Sequence, residues 1–188
     1  MRIVVLVSGP GTNLQAVIDA VQAGELDVDI AAVGSDVPGC LGLKRAADAG
    51  IATFTVPPAD YADRPEWNRA LQAAVLEHRP GVVLLAGFMR ILDAEFDAAF
   101  EGRMVNTHPA LLPSFPGAHG VRDALRHGVK VTGVTVHLVD SGVDTGPILA
   151  QAAVPVLEGD TEEELHERIK VEERKLLVET LRGLSASR

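Results

Sequence analysis

The chain has 188 residues, which favours one domain, and 47% of them are hydrophobic, which excludes a disordered chain. Its formal net charge of −9 argues against a general nucleic-acid binder, because an acidic surface is repelled by a phosphate backbone. The one cysteine, Cys40, excludes an intrachain disulfide and offers no cysteine cluster for zinc. No run of about 18 apolar residues predicts a membrane span. We therefore expect a cytoplasmic protein without a bound metal.

Short apolar runs alternate with helical patterns along most of the chain. The runs predict strands at Arg2–Val7, Asp29–Val33, Ala52–Val56, Val82–Leu85, Arg103–Thr107, Val129–Val139 and Ile148–Val154. The helical patterns cover Asn13–Ala23, Cys40–Ala49, Pro65 to Pro80, Asp93–Phe100, His119–His127 and Thr161 to about Leu181.

Strands separated by helices predict parallel pairing with right-handed crossovers, whereas the turn between the last two strands predicts an antiparallel pair. We therefore predict an α/β fold: an open, doubly wound, mostly parallel sheet flanked by helices, with an antiparallel C-terminal strand pair. Ligands of such sheets bind at the carboxyl ends of the strands.

The loop after the first strand contains Ser8-Gly-Pro-Gly-Thr-Asn-Leu14. Glycines before a helix expose backbone N–H groups that favour a phosphate. Leu14 stands where a dinucleotide fingerprint has its third glycine, and the loop lacks the lysine of a P-loop. The pattern indicates a phosphorylated ligand, with a tight turn capped by Thr12 or Asn13 as the alternative.

Asn106 and His108 stand two apart at the end of the fifth predicted strand, so their side chains point to one face. An amide donor beside an imidazole suits a carbonyl that develops negative charge. Asp140 and Asp144 lie in a later glycine-punctuated loop, from where a carboxylate would stabilise an imidazolium. Local turn hydrogen bonds are the alternative for Asn106 and His108. We find no convincing nucleophile, which favours direct attack by a substrate amine.

Four segments carry a resemblance to a known family: Ser8–Leu14, Leu85–Leu92, Asn106–Pro113 and Gly133–Pro147. Together they resemble the phosphoribosylglycinamide formyltransferases, and the resemblance runs from Met1 to about Leu181. The Asn-x-His…Asp pattern is common to folate-dependent formyltransferases and hydrolases. The first two segments are more specific to the glycinamide ribonucleotide enzymes.

The resemblance implies the formyltransferase fold and transfer of a formyl group from 10-formyltetrahydrofolate to the amine of phosphoribosylglycinamide, without a metal. Its implied catalytic residues are Asn106, His108 and Asp144, and its implied ribonucleotide-binding residues are Gly11, Thr12, Asn13, Lys170 and Glu173. Its implied folate-binding residues are Arg64, Met89, Arg90, Ile91, Leu92, Asn106, Asp140 and Val143. His119 and His137 would have supporting roles. Residues 1–100 would form a phosphate-binding half and residues 101–188 a folate and catalytic half.

Each assignment has a plainer alternative. Arg64 suits a solvated charge at a helix start, Phe88–Leu92 a core segment, and Lys170 with Glu173 a solvated helix face. At the level of function the rivals are a formyltetrahydrofolate hydrolase, another folate-dependent formyltransferase, and a non-catalytic nucleotide-binding module. A methionyl-tRNA enzyme would be expected to carry a further C-terminal domain. We expect no nucleic-acid or membrane partner, and the sequence leaves open a monomer or a homodimer.

Overall fold

The computed structural model describes residues 1–186, which form a seven-stranded sheet with helices on both faces. Its strands are β1 (Arg2–Val7), β2 (Asp29–Ser35), β3 (Thr53–Thr55), β4 (Val82–Leu85), β5 (Met104–His108), β6 (Val131–Leu138) and β7 (Ile148–Pro155). Its α-helices are α1 (Thr12–Gln22), α2 (Leu41–Asp48), α3 (Arg64–Glu77), α4 (Ala94–Ala99), α5 (Gly120–His127) and α6 (Glu162–Ala186), and a short 3-10 helix spans Pro58–Asp60.

The strand order is β3-β2-β1-β4-β5-β6-β7. The pairs from β3 to β5 are parallel, and β6 pairs antiparallel with β7. The predicted α/β fold class is therefore confirmed. Pairing of β4 with β5 makes the sheet continuous across residue 100, and the division of the chain into two functional halves stays a prediction.

The β5–β6 pair departs from the rule used on the sequence. The helix between these strands predicts parallel pairing, but the structure pairs them antiparallel, with His108 opposite Thr135 and Asn106 opposite His137. The loops around the short helix α5 return the chain to the end where β5 finished, so β6 runs back along it. This register sets His137 beside the end of β5.

Strand β1 divides the core into two layers. Ile3, Val5 and Val7 pack in one apolar cluster with residues of α1 and α6, whereas Val4 and Leu6 pack in a second cluster with residues of α3 and α4. All of these β1 side chains are fully buried, and burial of each stabilises the fold by about 1.5–3 kcal/mol. β1 is therefore fixed in the centre of the sheet.

Polar caps set the starts of three helices. Asp63 accepts a hydrogen bond from the backbone N–H of Glu66 in α3, and the predicted cap Asp93 accepts one from Phe96 in α4. Thr161 and Glu164 form the predicted reciprocal capping box before α6. That helix continues beyond the predicted end at Leu181 to Ala186.

The start of α1 differs from the alternative considered for its loop. Gly11 is the N-cap residue, with a φ of 70° in the left-handed region, and no side chain caps the helix. A Cβ at Gly11 would lie 2.6 Å from the Cα of Gly42 in α2, so the loop packs too closely for any side chain there. The peptide bond between Leu112 and Pro113 is cis. No helix within residues 1–186 is long and apolar enough to cross a membrane.

The close packing of β6 on β7 predicts the effect of a single added methyl group. A Cβ at Gly133 would lie 2.0 Å from the carbonyl oxygen of Ala152, so Gly133→Ala should lower the free energy of unfolding by about 1–3 kcal/mol. A Cβ added at Gly183 in α6 would find no heavy atom within 4 Å, so Gly183→Ala should raise the free energy of unfolding slightly, by less than about 1 kcal/mol. Urea unfolding of both variants measures the difference, and equal stabilities would contradict the packing.

Candidate active site

Three loops follow β1, β4 and β5 at the carboxyl edge of the sheet. β5 delivers Asn106 and His108 to this edge, and the antiparallel register places His137 of β6 opposite Asn106. The loop after β6 carries Asp144, which contacts both histidines. The side chains of two strands and one loop therefore form one cluster.

His108 is the most deeply enclosed of the predicted catalytic residues, with 4% of its surface exposed. Its Nε2 hydrogen bonds to the carbonyl oxygen of Phe115 at 2.7 Å, and its Nδ1 lies 3.3 Å from Oδ2 of Asp144. A carbonyl and a carboxylate only accept hydrogen bonds. Both ring nitrogens of His108 therefore face hydrogen-bond acceptors.

Asp144 is held on several sides. Its backbone has a φ of 55°, in the left-handed region, which an aspartate tolerates better than most residues. Its Oδ2 accepts a 2.7 Å hydrogen bond from the N–H of Gly117. Hydrogen bonding with His137 lowers the pKa of Asp144; partial burial opposes this, and the Gly117 N–H and the nearby His108 reinforce it. The carboxylate is therefore the ionised partner of His108.

His137 belongs to the cluster, where the sequence predicts a supporting role for it. Its Nδ1 donates to the carbonyl oxygen of Leu138 at 2.9 Å. Its Nε2 lies 3.4 Å from Nδ2 of Asn106 and 3.5 Å from Oδ1 of Asp144. It thus joins Asn106 to Asp144. An antiparallel β5–β6 pair would have revealed this contact from the sequence, but the intervening helix predicts the opposite orientation.

The predicted ribonucleotide residues come from two places in the fold. Gly11, Thr12 and Asn13 open α1 beside the end of β1. Within residues 1–186, Oδ1 of Asn13 is one of the few buried side-chain polar atoms without a hydrogen-bond partner.

The two predicted residues of α6 differ in their surroundings. Glu173 is only 8% exposed and accepts a hydrogen bond from the hydroxyl of Thr107 in β5. It is therefore not part of a solvated helix face. Lys170 instead donates to Glu167 at 2.6 Å, an ion pair on the outer surface of the helix. The structure thus ties Glu173 to the strand of the site and leaves Lys170 at its margin.

The segment after β4 alternates between core and surface. Phe88 and Leu92 pack in the apolar cluster below the loop, as the core alternative predicts for them. Met89 and Ile91 are 78% and 67% exposed, an unusual position for large apolar side chains in one short loop. The exposed pair forms an open apolar surface next to the catalytic cluster.

Two arginines hold this loop. Arg64 opens α3 and donates to the carbonyl oxygen of Ile91, so it is not a free solvated charge. The side chain of Arg90 turns back to Asp36, where its Nε donates to Oδ2 at 2.7 Å. The arginine side chains therefore support the loop, and its backbone groups and apolar side chains remain available for a ligand.

The loop after β6 supplies the last two predicted residues. Oδ1 of Asp140 accepts hydrogen bonds from the Thr145 hydroxyl at 2.6 Å and the Gly142 N–H at 3.0 Å. These bonds, the one from Thr145 first, lower the pKa of Asp140. Val143 is exposed. Asp140 therefore shapes the loop and stays ionised, while Val143 extends the apolar surface.

The site also bears on metal chemistry. Among residues 1–186, no group of three or more histidine, cysteine, aspartate or glutamate side chains has an arrangement that could hold a metal ion. The residues of the cluster hold one another instead: Asp144 contacts His108 and His137. The imidazole of His108 and the amide of Asn106 are the polar side-chain groups that the end of β5 contributes to this cluster.

Comparison with known proteins gives consistent matches over nearly the whole chain. A family model described as formyl transferase matches residues 1–181. The chain is 55% identical over 184 residues to a phosphoribosylglycinamide formyltransferase of Mycobacterium tuberculosis (strain ATCC 25618 / H37Rv), covering 98% of this chain and 85% of that protein. It is 43% identical over 176 residues to the Escherichia coli (strain K12) phosphoribosylglycinamide formyltransferase, covering 94% of this chain and 83% of that protein.

The fold agrees with these sequence matches. The structure superposes on a crystal structure of glycinamide ribonucleotide transformylase 1 from Symbiobacterium toebii with a TM-score of 0.97 and 46% sequence identity, covering 100% of this chain and 89% of that one. The resemblance found in the four sequence segments is thereby confirmed. The chain belongs to the formyl transferase family, among the phosphoribosylglycinamide formyltransferases.

Proposed function

We propose that this protein transfers a formyl group from 10-formyltetrahydrofolate to the amine of phosphoribosylglycinamide, a step of de novo purine biosynthesis. The observation that carries the proposal is the buried pair of His108 and Asp144 beside Asn106. The exposed apolar loop after β4, suited to a flat ring system, follows the strand next to β5, and the glycine loop after β1, suited to a phosphate, follows the next strand along the sheet. A cytoplasmic location and assembly as a monomer or homodimer stay predictions.

The reaction follows from the groups present. The neutral glycyl amine attacks the formyl carbon and forms a C–N bond, which gives a tetrahedral intermediate with a negatively charged oxygen. The amide of Asn106 would donate a hydrogen bond to that oxygen, and the positive charge of a His108 imidazolium would stabilise it electrostatically, because both ring nitrogens of His108 already face Phe115 and Asp144. Asp144 maintains the imidazolium and, through water, helps to move a proton from the incoming amine to the departing N10 of the folate. Breakage of the bond from carbon to N10 completes the transfer.

The two substrates suit two neighbouring loops at this edge of the sheet, those after β1 and β4. Gly11, Thr12 and Asn13 would bind the ribose phosphate through backbone N–H groups, with Glu173 contributing from α6. Met89, Ile91 and Val143, all exposed, would pack against the pterin, while backbone groups of the loop bind its polar edge. The formyl group would then reach the amine at His108.

One variant pair tests the reaction and its main residue together. We expect His108→Ala to reduce kcat by about 10²–10³-fold, because it removes one of the groups proposed to stabilise the oxyanion. His78→Ala is the matched control, since His78 ends α3 and its backbone binds Arg2 at the other end of β1. Folate release is followed by absorbance, with and without phosphoribosylglycinamide.

The outcomes of this assay separate the rival functions. Release that needs both substrates and collapses only in His108→Ala supports the proposal. Release without the ribonucleotide would identify a hydrolase, and no release under either condition would indicate a binding module. Near wild-type turnover in His108→Ala would remove His108 from the mechanism.

The lowered pKa of Asp144 predicts how its contribution to stability depends on pH. A carboxylate whose pKa is lowered by folding stabilises the fold above the ordinary aspartate pKa of about 3.9 and loses this effect as pH falls through its folded-state value. Asp144→Asn should therefore be less stable than wild type at pH 7, and the two should converge below about pH 3.9. Asparagine tolerates the left-handed backbone, so urea unfolding reports the lost charge. Equal stability at pH 7 would contradict the pairing.

The buried position of Glu173 predicts a selective effect on one substrate. Glu173→Ala should raise the KM for phosphoribosylglycinamide several-fold and leave the KM for the folate nearly unchanged, because its carboxylate lies on the α6 side of β5. Glu172→Ala is the control, since Glu172 pairs with Lys175 at the surface. Steady-state kinetics with each substrate varied in turn measures both values. An unchanged ribonucleotide KM would return Glu173 to a structural role.

A further inference from the structure

One buried carboxyl has no part in the mechanism above. Asp36 follows the end of β2 and is 3% exposed, with its side chain almost completely enclosed. Burying a carboxylate costs desolvation energy, so it is stable only where well-placed donors compensate for the lost water. The identity of those partners therefore indicates what the residue does.

The partners of Asp36 belong to two different substrate loops. The hydroxyl of Ser8, at the start of the glycine loop, donates to Oδ1 at 2.6 Å. Nε of Arg90, in the loop after β4, donates to Oδ2 at 2.7 Å. The Ser8 hydroxyl also accepts a 2.8 Å hydrogen bond from the backbone N–H of Met89. One carboxylate thus joins the two loops through each of its oxygens.

The topology makes this link direct. β1 lies between β2 and β4 in the sheet, so the glycine loop that follows β1 lies between Asp36 and the loop that follows β4. A shift of either loop would leave one oxygen of a buried carboxylate without a donor, which is costly. The position of each loop therefore depends on the position of the other.

We propose that Asp36 is a positioning residue that couples the two substrate sites: ribonucleotide bound at Gly11–Asn13 raises the affinity for folate at Met89–Leu92. The inference rests on the proposed function, which assigns the two substrates to these loops. Coupling between binding sites is reciprocal, so folate raises the ribonucleotide affinity by the same factor. We expect a factor of about 5 or more, the lower end of typical couplings.

The coupling factor distinguishes positioning from a structural role. A residue that only supports the fold weakens both affinities in its absence and leaves their mutual dependence unchanged. A residue that links the loops abolishes the dependence itself. The factor is the ratio of the dissociation constants for one ligand without and with the other ligand bound.

Calorimetric titration of the full chain measures this factor. The probes are phosphoribosylglycinamide and tetrahydrofolate, a pair that cannot react because the formyl group is absent. We expect the factor of about 5 or more in wild type to fall to about 1 in Asp36→Ala. Asp29→Ala is the control, because Asp29 pairs with Arg2 at the opposite end of β1, and it should keep the wild-type factor.

Ser8→Ala gives a second route to the same answer if Asp36→Ala does not fold. It keeps the ion pair of Asp36 with Arg90 and removes the hydroxyl that joins Asp36 to Met89, so the factor should again approach 1. A wild-type factor of 1, or an unchanged factor in the folded variants, would overturn the inference alone. Wild type that binds neither ligand would overturn the proposed function and the inference with it.

Discussion

The pairing of His108 with Asp144 is the interaction on which the rest of the site depends. An enclosed imidazolium is stable only where a counter-charge and hydrogen-bond acceptors replace the water that burial removes. The carbonyl of Phe115 and the carboxylate of Asp144 fill that role. Asp144 reaches His108 through a left-handed backbone conformation and is fixed by Gly117 and His137. In the proposed mechanism, this pairing would hold a positive charge beside the reacting formyl group.

The sheet and its loops form the frame that keeps this pair in register with the substrates. β1 is buried on both faces and anchors the glycine loop, and β5 holds Asn106 and His108 at the same edge. The antiparallel β5–β6 pair adds His137 to the cluster. Asp36 also fixes the surrounding loops, because its two oxygens bind Ser8 in one of the segments proposed to hold a substrate and Arg90 in the other. Electrostatic preorganisation of this kind costs no rearrangement during the reaction.

Much of this arrangement follows from local sequence patterns. The period of two places Asn106 and His108 on one face, and the strand and helix patterns give the fold class and the edge where ligands bind. The resemblance supplied Asp144 as their partner. The capping box of Thr161 and Glu164 was also predictable, because its bonds join residues only three apart.

The features that escaped prediction depend on contacts between distant segments. The antiparallel course of β6 and the contact of His137 with Asn106 require the strand register, which no local periodicity encodes. Asp36 stands in a Ser-Asp-Val-Pro-Gly stretch that is typical of a turn, and only the fold brings Ser8 and Arg90 to it. The sequence pattern also could not predict that Leu92 is buried while its neighbour Ile91 is exposed, because both are large apolar residues in the same short segment.

The central claim is that His108 is an imidazolium maintained by Asp144. Nitrogen-15 NMR of the histidine rings at pH 7 tests it directly, because protonated and unprotonated ring nitrogens have well-separated chemical shifts. The account predicts protons on both Nδ1 and Nε2 of His108 in the wild-type protein and a neutral ring in Asp144→Asn. A wild-type His108 with one unprotonated nitrogen at pH 7 would contradict it.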